Sequence, residues 1–278
     1  MFYNRIQMKK AALAMLKPRW KNAAFVGLCF TLPIFAFYAF FFLWWFKVMG
    51  LVKNGELSPV FAILQFLLVL ILFVAICSIF AFALCKWNIQ LAKSSDSSNP
   101  DAPPAPSFKD FFRFFTPISI GLYFWCLLKV FLWSLLMIPV SLIFIPLGSK
   151  NLMMTLGPAI IIFAILGAVL YTFVYLVVLG KMISYFMSFY ALADNPELSV
   201  KESAKLSIEI TKGFRENLFI TMLSFFGWFL LGMITFGIAL FWIVPYYSQV
   251  FANSWLFMKA EKTKLIQNPL KTEPKELV

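Results

Sequence analysis

The sequence predicts an all-α, polytopic membrane protein with six transmembrane helices and both termini cytoplasmic. Three observations carry that prediction. The first is composition: 62% of the 278 residues are hydrophobic, 35 are Phe, and only 13% are charged, where soluble domains carry about a quarter. The second is a set of apolar runs at roughly 22–46, 59–85, 118–145, 157–180, 217–234 and 238–258, each near the ~20 residues that cross a ~30 Å hydrocarbon core. The third is where the bases lie. Six precede the first run, four fall in 86–113, five in 181–215 and five after 258, against Lys47, Lys53 and Lys150 in the alternate loops and Lys129 inside a run. That bias orients the chain with its termini inside. Eleven of the twelve acids share the inner side, Glu56 being the exception, so the inner face is mixed in sign but net basic.

Composition also excludes function classes. Histidine is absent, and Cys29, Cys77, Cys85 and Cys126 all lie in apolar runs without a C-x-x-C pair. This removes the usual metal ligands and an aqueous disulfide framework, leaving buried free thiols, and no cofactor is called for. The +12 net charge is explained by anionic lipid headgroups at the cytosolic face, without nucleic acid. The first apolar run is too long for a signal-peptide core and no small-x-small site follows it, so it reads as a permanent span.

In chain order, residues 1–21 place Phe2, Ile6, Leu13, Leu16 and Trp20 among six bases. This is either a helix lying in the inner interface or a positive topogenic flank. The six-span domain is 22–258, and 259–278 is a basic cytosolic tail. In the first span Trp44 and Trp45 suit an aromatic belt. Residues 93–107, KSSDSSNPDAPPAPS, are a Ser/Pro-rich flexible linker. The third span carries Lys129, the one ionisable side chain at membrane depth. An intramembrane charge is a functional hypothesis by default, yet Trp125 and Trp133, four residues to either side, offer cation–π faces while the stem snorkels. Pro139 and Pro146 kink or end that helix. Gly157, Ala164, Gly167 and Ala168 give the fourth span the small residues of close packing.

The densest signals lie in Tyr185–Tyr247. Asp194-Asn195-Pro196 stops a helix, because a residue before proline leaves the α region. Ser199 and Glu202 have capping-box spacing, and Gly213 stands where a C′ glycine belongs. Residues 199–213 therefore form a cytosolic amphipathic helix whose charged side, Lys201, Glu202, Lys205, Glu209 and Lys212, is expected to be laced by i,i+3 and i,i+4 pairs. The fifth span is about 17 residues and reaches only ~25 Å. Thr235-Phe236-Gly237 leaves almost no loop before the sixth, so the two form a tight hairpin. Pro245 interrupts the sixth span, and Tyr246, Gln249 and Asn253 make a polar stripe. Such a stripe either hydrogen-bonds between helices or, with carbonyls freed by Pro245, lines a cavity.

KKAALAMLKPRWKNA near the start, FLWSLLMIP in the third span and the whole carboxy-terminal unit resemble a bacterial integral membrane family catalogued as domain of unknown function nine-seven-five. The family pattern matches Asp194-Asn195-Pro196, Lys212-Gly213, the run Leu223-Ser224-Phe225-Phe226-Gly227-Trp228, Thr235-Phe236-Gly237-Ile238 and Pro245-Tyr246. Val140 stands where the family has Gly, and an additional apolar segment, about 141–180, intervenes. The resemblance implies an integral membrane protein of unassigned function in the bacterial inner membrane, similar in plan to the membrane regions attached to some glycerophosphodiester phosphodiesterases. It implies no catalytic residue.

Three functions are compatible with these residues. One is a non-enzymatic, lipid-organising or interaction protein whose inner-face helices meet lipid headgroups, other membrane proteins or a second copy. A transporter of an anionic or amphipathic small molecule would use Lys129, Tyr246, Gln249 and Asn253 as its ligand site. A membrane lipid enzyme would have to draw its chemistry from Asp194 or Glu197.

Overall fold

A backbone immersed in hydrocarbon must satisfy its own hydrogen bonds, which favours helices. In the computed structural model, which describes residues 3–95, 102–135, 137–138 and 159–267, every assigned element is helical. Helix α1 (Arg5–Leu16) turns through a short 3₁₀ segment, Lys17–Arg19, into α2 (Trp20–Lys53). There follow α3 (Pro59–Ser94), α4 (Phe108–Arg113), α5 (Ile118–Ser134), α6 (Ala159–Phe186), α7 (Ser188–Asp194), α8 (Val200–Thr211), α9 (Arg215–Leu223), α10 (Phe226–Ile234) and α11 (Leu240–Gln267).

Four helical stretches among these residues are long and apolar enough to cross a membrane: Arg5–Lys53, Pro59–Ser94, Ala164–Asp194 and Arg215–Ile234. The other two of the six apolar runs fall short for different reasons. Helix α5 is described for only 17 residues, and residues 139–145 of that run, with Pro139 and Val140, lie outside the described residues, as does Pro146 after it. Helix α11 is diluted by Ser248, Gln249, Asn253 and Ser254, all buried. Gly157 and Lys150 are also outside the described residues.

Helix α11 is the post of the bundle, in contact with α1, α2, α3, α7, α8 and α10. One side of it faces Phe82, Leu122, Met187 and Tyr190, together with its own Phe251 and Trp255. The other side faces Ala12, Leu16, Trp87, Phe111 and Phe225. We call this end of the molecule the base. Beyond it α2 and α3, about 50 Å each at 1.5 Å per residue, extend as a hairpin whose Phe40, Leu43, Leu64 and Leu68 are exposed. The hairpin is zipped by rings, among them Phe37 stacked on Phe73 at 3.6 Å and Trp45 edge-on to Phe66. Exposed apolar side chains continue on the first half of α6, at Leu166, Val169 and Phe173.

Two glycines permit approaches that a Cβ would block. A Cβ on Gly27 would lie 2.1 Å from the backbone oxygen of Phe241 and 3.0 Å from the Pro245 ring. Proline has no N–H for the carbonyl four residues back, so the carbonyl left over is Phe241's, and it is packed against α2. Gly237, with φ of 87°, would drive a Cβ into the Phe35 ring. Its neighbour Phe236 is also left-handed, at φ 49°, and its side chain is 93% exposed. The turn closes by Gly237 N–H donating to Gly232 O at 2.8 Å and Ala239 N–H to the Thr235 hydroxyl at 3.1 Å. The run 217–234 is not one helix. It breaks at Ser224–Phe225, where the Ser224 hydroxyl donates to Thr221 O and Lys9 Nζ to Ser224 O.

The linker is partly fixed. Residues 96–101 lie outside the described residues, but Trp87 Nε1 donates to Ser107 O at 3.0 Å and Gln90 Nε2 to Pro104 O at 3.2 Å. Helix α1 docks into the bundle. The Tyr3 hydroxyl lies 3.1 Å from Thr221 Oγ1 and 2.9 Å from Ser254 Oγ, while Ala12 and Leu16 are fully buried. All four cysteines are free, Cys85 and Cys126 buried but Cys29 and Cys77 only half-buried.

Candidate functional site

The residues singled out from the sequence gather at three places around the base. The first is the end of α7. Asn195 adopts the extended backbone, φ −131° and ψ 87°, that Pro196 imposes on its predecessor. This halts α7 with Asp194 facing inward. Its carboxylate is 1% exposed, with Oδ1 at 2.6 Å from Lys93 Nζ and Oδ2 at 2.5 Å from Lys259 Nζ. Trp255 Nε1 donates to Oδ2 at 3.2 Å. The cluster thus ties α3, α7 and α11 together. A carboxylate held between two cations is a poor base, and Glu197 stands exposed beyond it. No group of three or more potential metal-ligating side chains occurs among the described residues.

The second place is α8 and what it lies on. Ser199 Oγ accepts from Glu202 N–H, and Glu202 Oε2 accepts from Ser199 N–H at 2.9 Å. The Ser199 side chain is the main cause holding the Glu202 carboxyl below its ordinary range. The helix ends at Gly213 with φ 91°. Its buried face is made of Ser203, Ala204, Ser207, Ile210 and Thr211, mostly small groups that let it approach α6. The Ser207 hydroxyl donates to Ser184 O, and the Thr211 hydroxyl to Ser184 Oγ at 3.1 Å. The expected lacing of the charged face is absent: Lys201, Lys205, Glu209 and Lys212 form no ion pair among the described residues. Glu202 is committed to its cap, and Lys201 turns to an indole.

That indole is Trp125. Helix α5 packs antiparallel to the end of α6, with Cys126 Sγ 3.9 Å from Tyr185 O and Tyr123 against Phe189. Lys129 Nζ lies 4.9 Å from the Trp125 ring centroid, and Lys201 Nζ 5.3 Å from the same ring. Trp133, expected as a second face for Lys129, takes Lys181 instead at 4.6 Å, because the antiparallel register delivers Lys181 to it. Among the described residues none of these three ammoniums has a carboxylate within ion-pair distance.

The third place is the stripe on α11. Tyr246, Gln249 and Asn253 are all buried. Gln249 Nε2 donates to Asn253 Oδ1 at 3.0 Å and approaches Met15 Sδ at 3.6 Å. Gln249 Oε1 and Asn253 Nδ2, like Asn88 Oδ1 on α3, are buried without a hydrogen-bond partner. The Tyr246 ring packs edge-on to Phe225 at 5.2 Å and Trp228 at 6.4 Å. Gly227 borders open space. The stripe and the neighbours of Lys129 fall in different surroundings. Tyr246 belongs to the packing group around Leu16 and Phe225, whereas the side chains flanking Lys129 belong to the group around Leu122 and Phe251.

Sequence reasoning missed Lys93, Lys259, Trp255 and Lys181. Each is an ordinary helical residue in the sequence, and only the packing of separate helices gives it a partner. A buried pair between α7 and the post, the Tyr190 hydroxyl with Ser248 Oγ at 3.1 Å, was equally unannounced.

A model of the family described as protein of unknown function (DUF975) matches residues 1–262. No curated protein and no solved structure matches the chain.

Proposed function

We propose, from the premise that the chain belongs to the DUF975 family of proteins of unknown function, that it is a non-enzymatic, lipid-organising protein of the bacterial cytoplasmic membrane. It crosses six times with both termini inside, so that the base is the inner face. The observation that carries this reading is the row of ammoniums over indoles: Lys129 and Lys201 on Trp125, and Lys181 on Trp133. Tryptophan with lysine is the usual equipment of a membrane interface. Two like charges sharing one ring without an acid repel each other, and an anion between them removes that repulsion. Phospholipid phosphates supply such anions at the inner leaflet.

The test is extraction of the full chain in polymer-bounded native membrane discs, followed by lipid analysis. Anionic lipid is expected to be enriched over the bulk membrane, and replacing Lys129, Lys181 and Lys201 together with Gln should abolish the excess. Bulk lipid composition around the wild-type chain would refute the reading.

Transport of a small anionic or amphipathic molecule is the second reading, favoured by the unpartnered Gln249 Oε1 and Asn253 Nδ2. It requires Lys129 and the stripe to serve one cavity, and Tyr246 packs with Leu16 and Phe225 whereas Leu122, Cys126 and Val130 beside Lys129 pack with Phe251, which weighs against that.

A further inference from the structure

Between the end of α6 and the start of α9 runs a groove of about 400 Å³. One wall is apolar, with Leu176 58% and Phe219 38% exposed into it. Toward the base it meets Gly180, Lys181, Arg215 and Glu216. Gly180 keeps the floor low: a Cβ there would have only the Arg215 side chain within 4 Å, at 3.9 Å. Neither Lys181 nor Arg215 has an ion-pair partner among the described residues, although Glu216 is adjacent. The Arg215 Nε is buried and has no acceptor. Such a donor costs free energy unless something receives it.

We infer that this groove seats one anionic phospholipid of the inner leaflet, its phosphate on Arg215 and Lys181 and one acyl chain along Leu176 and Phe219. The inference rests on the topology given under Proposed function, which puts residues 181–215 at the inner face. Charge decides the occupant. A guanidinium fork receives phosphate oxygens in pairs, a lysine adds a point charge, and the apolar wall continues from them toward the hydrocarbon. Glu216 repels a bare phosphate monoester but accepts hydrogen bonds from headgroup hydroxyls, which selects a glycerol-bearing headgroup. Phosphatidylglycerol has both features.

The test uses the purified full chain, delipidated in detergent and then given phosphatidylglycerol, phosphatidylcholine or inorganic phosphate, with bound lipid read by native mass spectrometry and stability by thermal unfolding. The wild-type chain is expected to retain one phosphatidylglycerol and to melt higher with it, and to respond to neither of the other two. Retention should fall about tenfold or more in Arg215→Lys, which keeps charge but loses the fork, and in Lys181→Gln. It should fall equally in Gly180→Leu, which keeps both cations and fills the floor. Lys53→Gln, exposed at the far end of α2 and outside the groove, should retain the lipid. Because Gly180→Leu and Arg215→Lys disturb the site differently, loss through misfolding of one, seen as aggregation on elution, leaves the other to decide. Retention unchanged in all groove variants, with anionic lipid still enriched around the protein, overturns the groove and spares the function proposed above. Absence of any anionic lipid overturns both. A phosphate ion that reproduces the thermal shift shows a simple anion site and overturns the lipid assignment.

Discussion

Gly27→Ala is expected to cost about 3 kcal/mol, the upper end of what overpacking commonly costs, and to lower the thermal unfolding midpoint of the detergent-solubilised chain accordingly. The added methyl would sit 2.1 Å from the Phe241 carbonyl oxygen, and a backbone atom in the post cannot turn aside as a flexible side chain can. Helices α2 and α11 must therefore separate along the contact. Gly50 and Gly227, both helical, are the controls, since a Cβ on either would have nothing within 4 Å of it. Alanine there should be neutral or stabilising by roughly 0.5–1 kcal/mol, because glycine loses more freedom in a helix. If Gly27→Ala behaves like Gly50→Ala, the close crossing of α2 and α11 is wrong.

The second large effect is expected at Asp194. Asp194→Ala leaves Lys93, Lys259 and the Trp255 N–H without their common acceptor. Breaking a fully buried pair costs about 3–5 kcal/mol, but the two lysine side chains are 39% and 38% exposed and relax into water. The expected loss is therefore nearer 2–3 kcal/mol. Asp194→Asn keeps an acceptor for Trp255 and should fall between. In a double-mutant cycle with Lys259→Ala the penalties should be strongly non-additive. Additive penalties would show that the ion pair contributes nothing, whatever its geometry.

What the sequence made legible was local or statistical. Ser199 and Glu202 could be read because both partners of a capping box lie within one turn, and Asp194-Asn195-Pro196 because proline constrains its own neighbour. The apolar runs at 22–46 and 59–85 announce α2 and α3, since lipid selects composition over a whole span. What stayed hidden depends on which helices meet. Nothing in the spacing of Trp125, Lys129 and Trp133 reveals that Lys181 will claim the second indole, since that follows from the register of α5 against α6. Asp194 drew notice as a helix stop, yet its ion pairs reach 101 and 65 residues along the chain. The charged side of α8 could be placed from the sequence, but not which of its other residues meet α6. The structure buries Ser203, Ser207 and Thr211 beside Ala204 and Ile210, with Ser207 and Thr211 hydrogen-bonded to Ser184.

The docking of α1 and α2 against α11 fixes an order of events. Helices α1 and α2 leave the ribosome long before their principal neighbour α11, so their packing faces, including Gly27 and the Tyr3 hydroxyl, must wait in lipid or against the insertion machinery. Contacts of that sequence separation form slowly. The bundle closes only when α11 arrives, and a chain stalled short of Leu240 has every span before the post and no post to hold them.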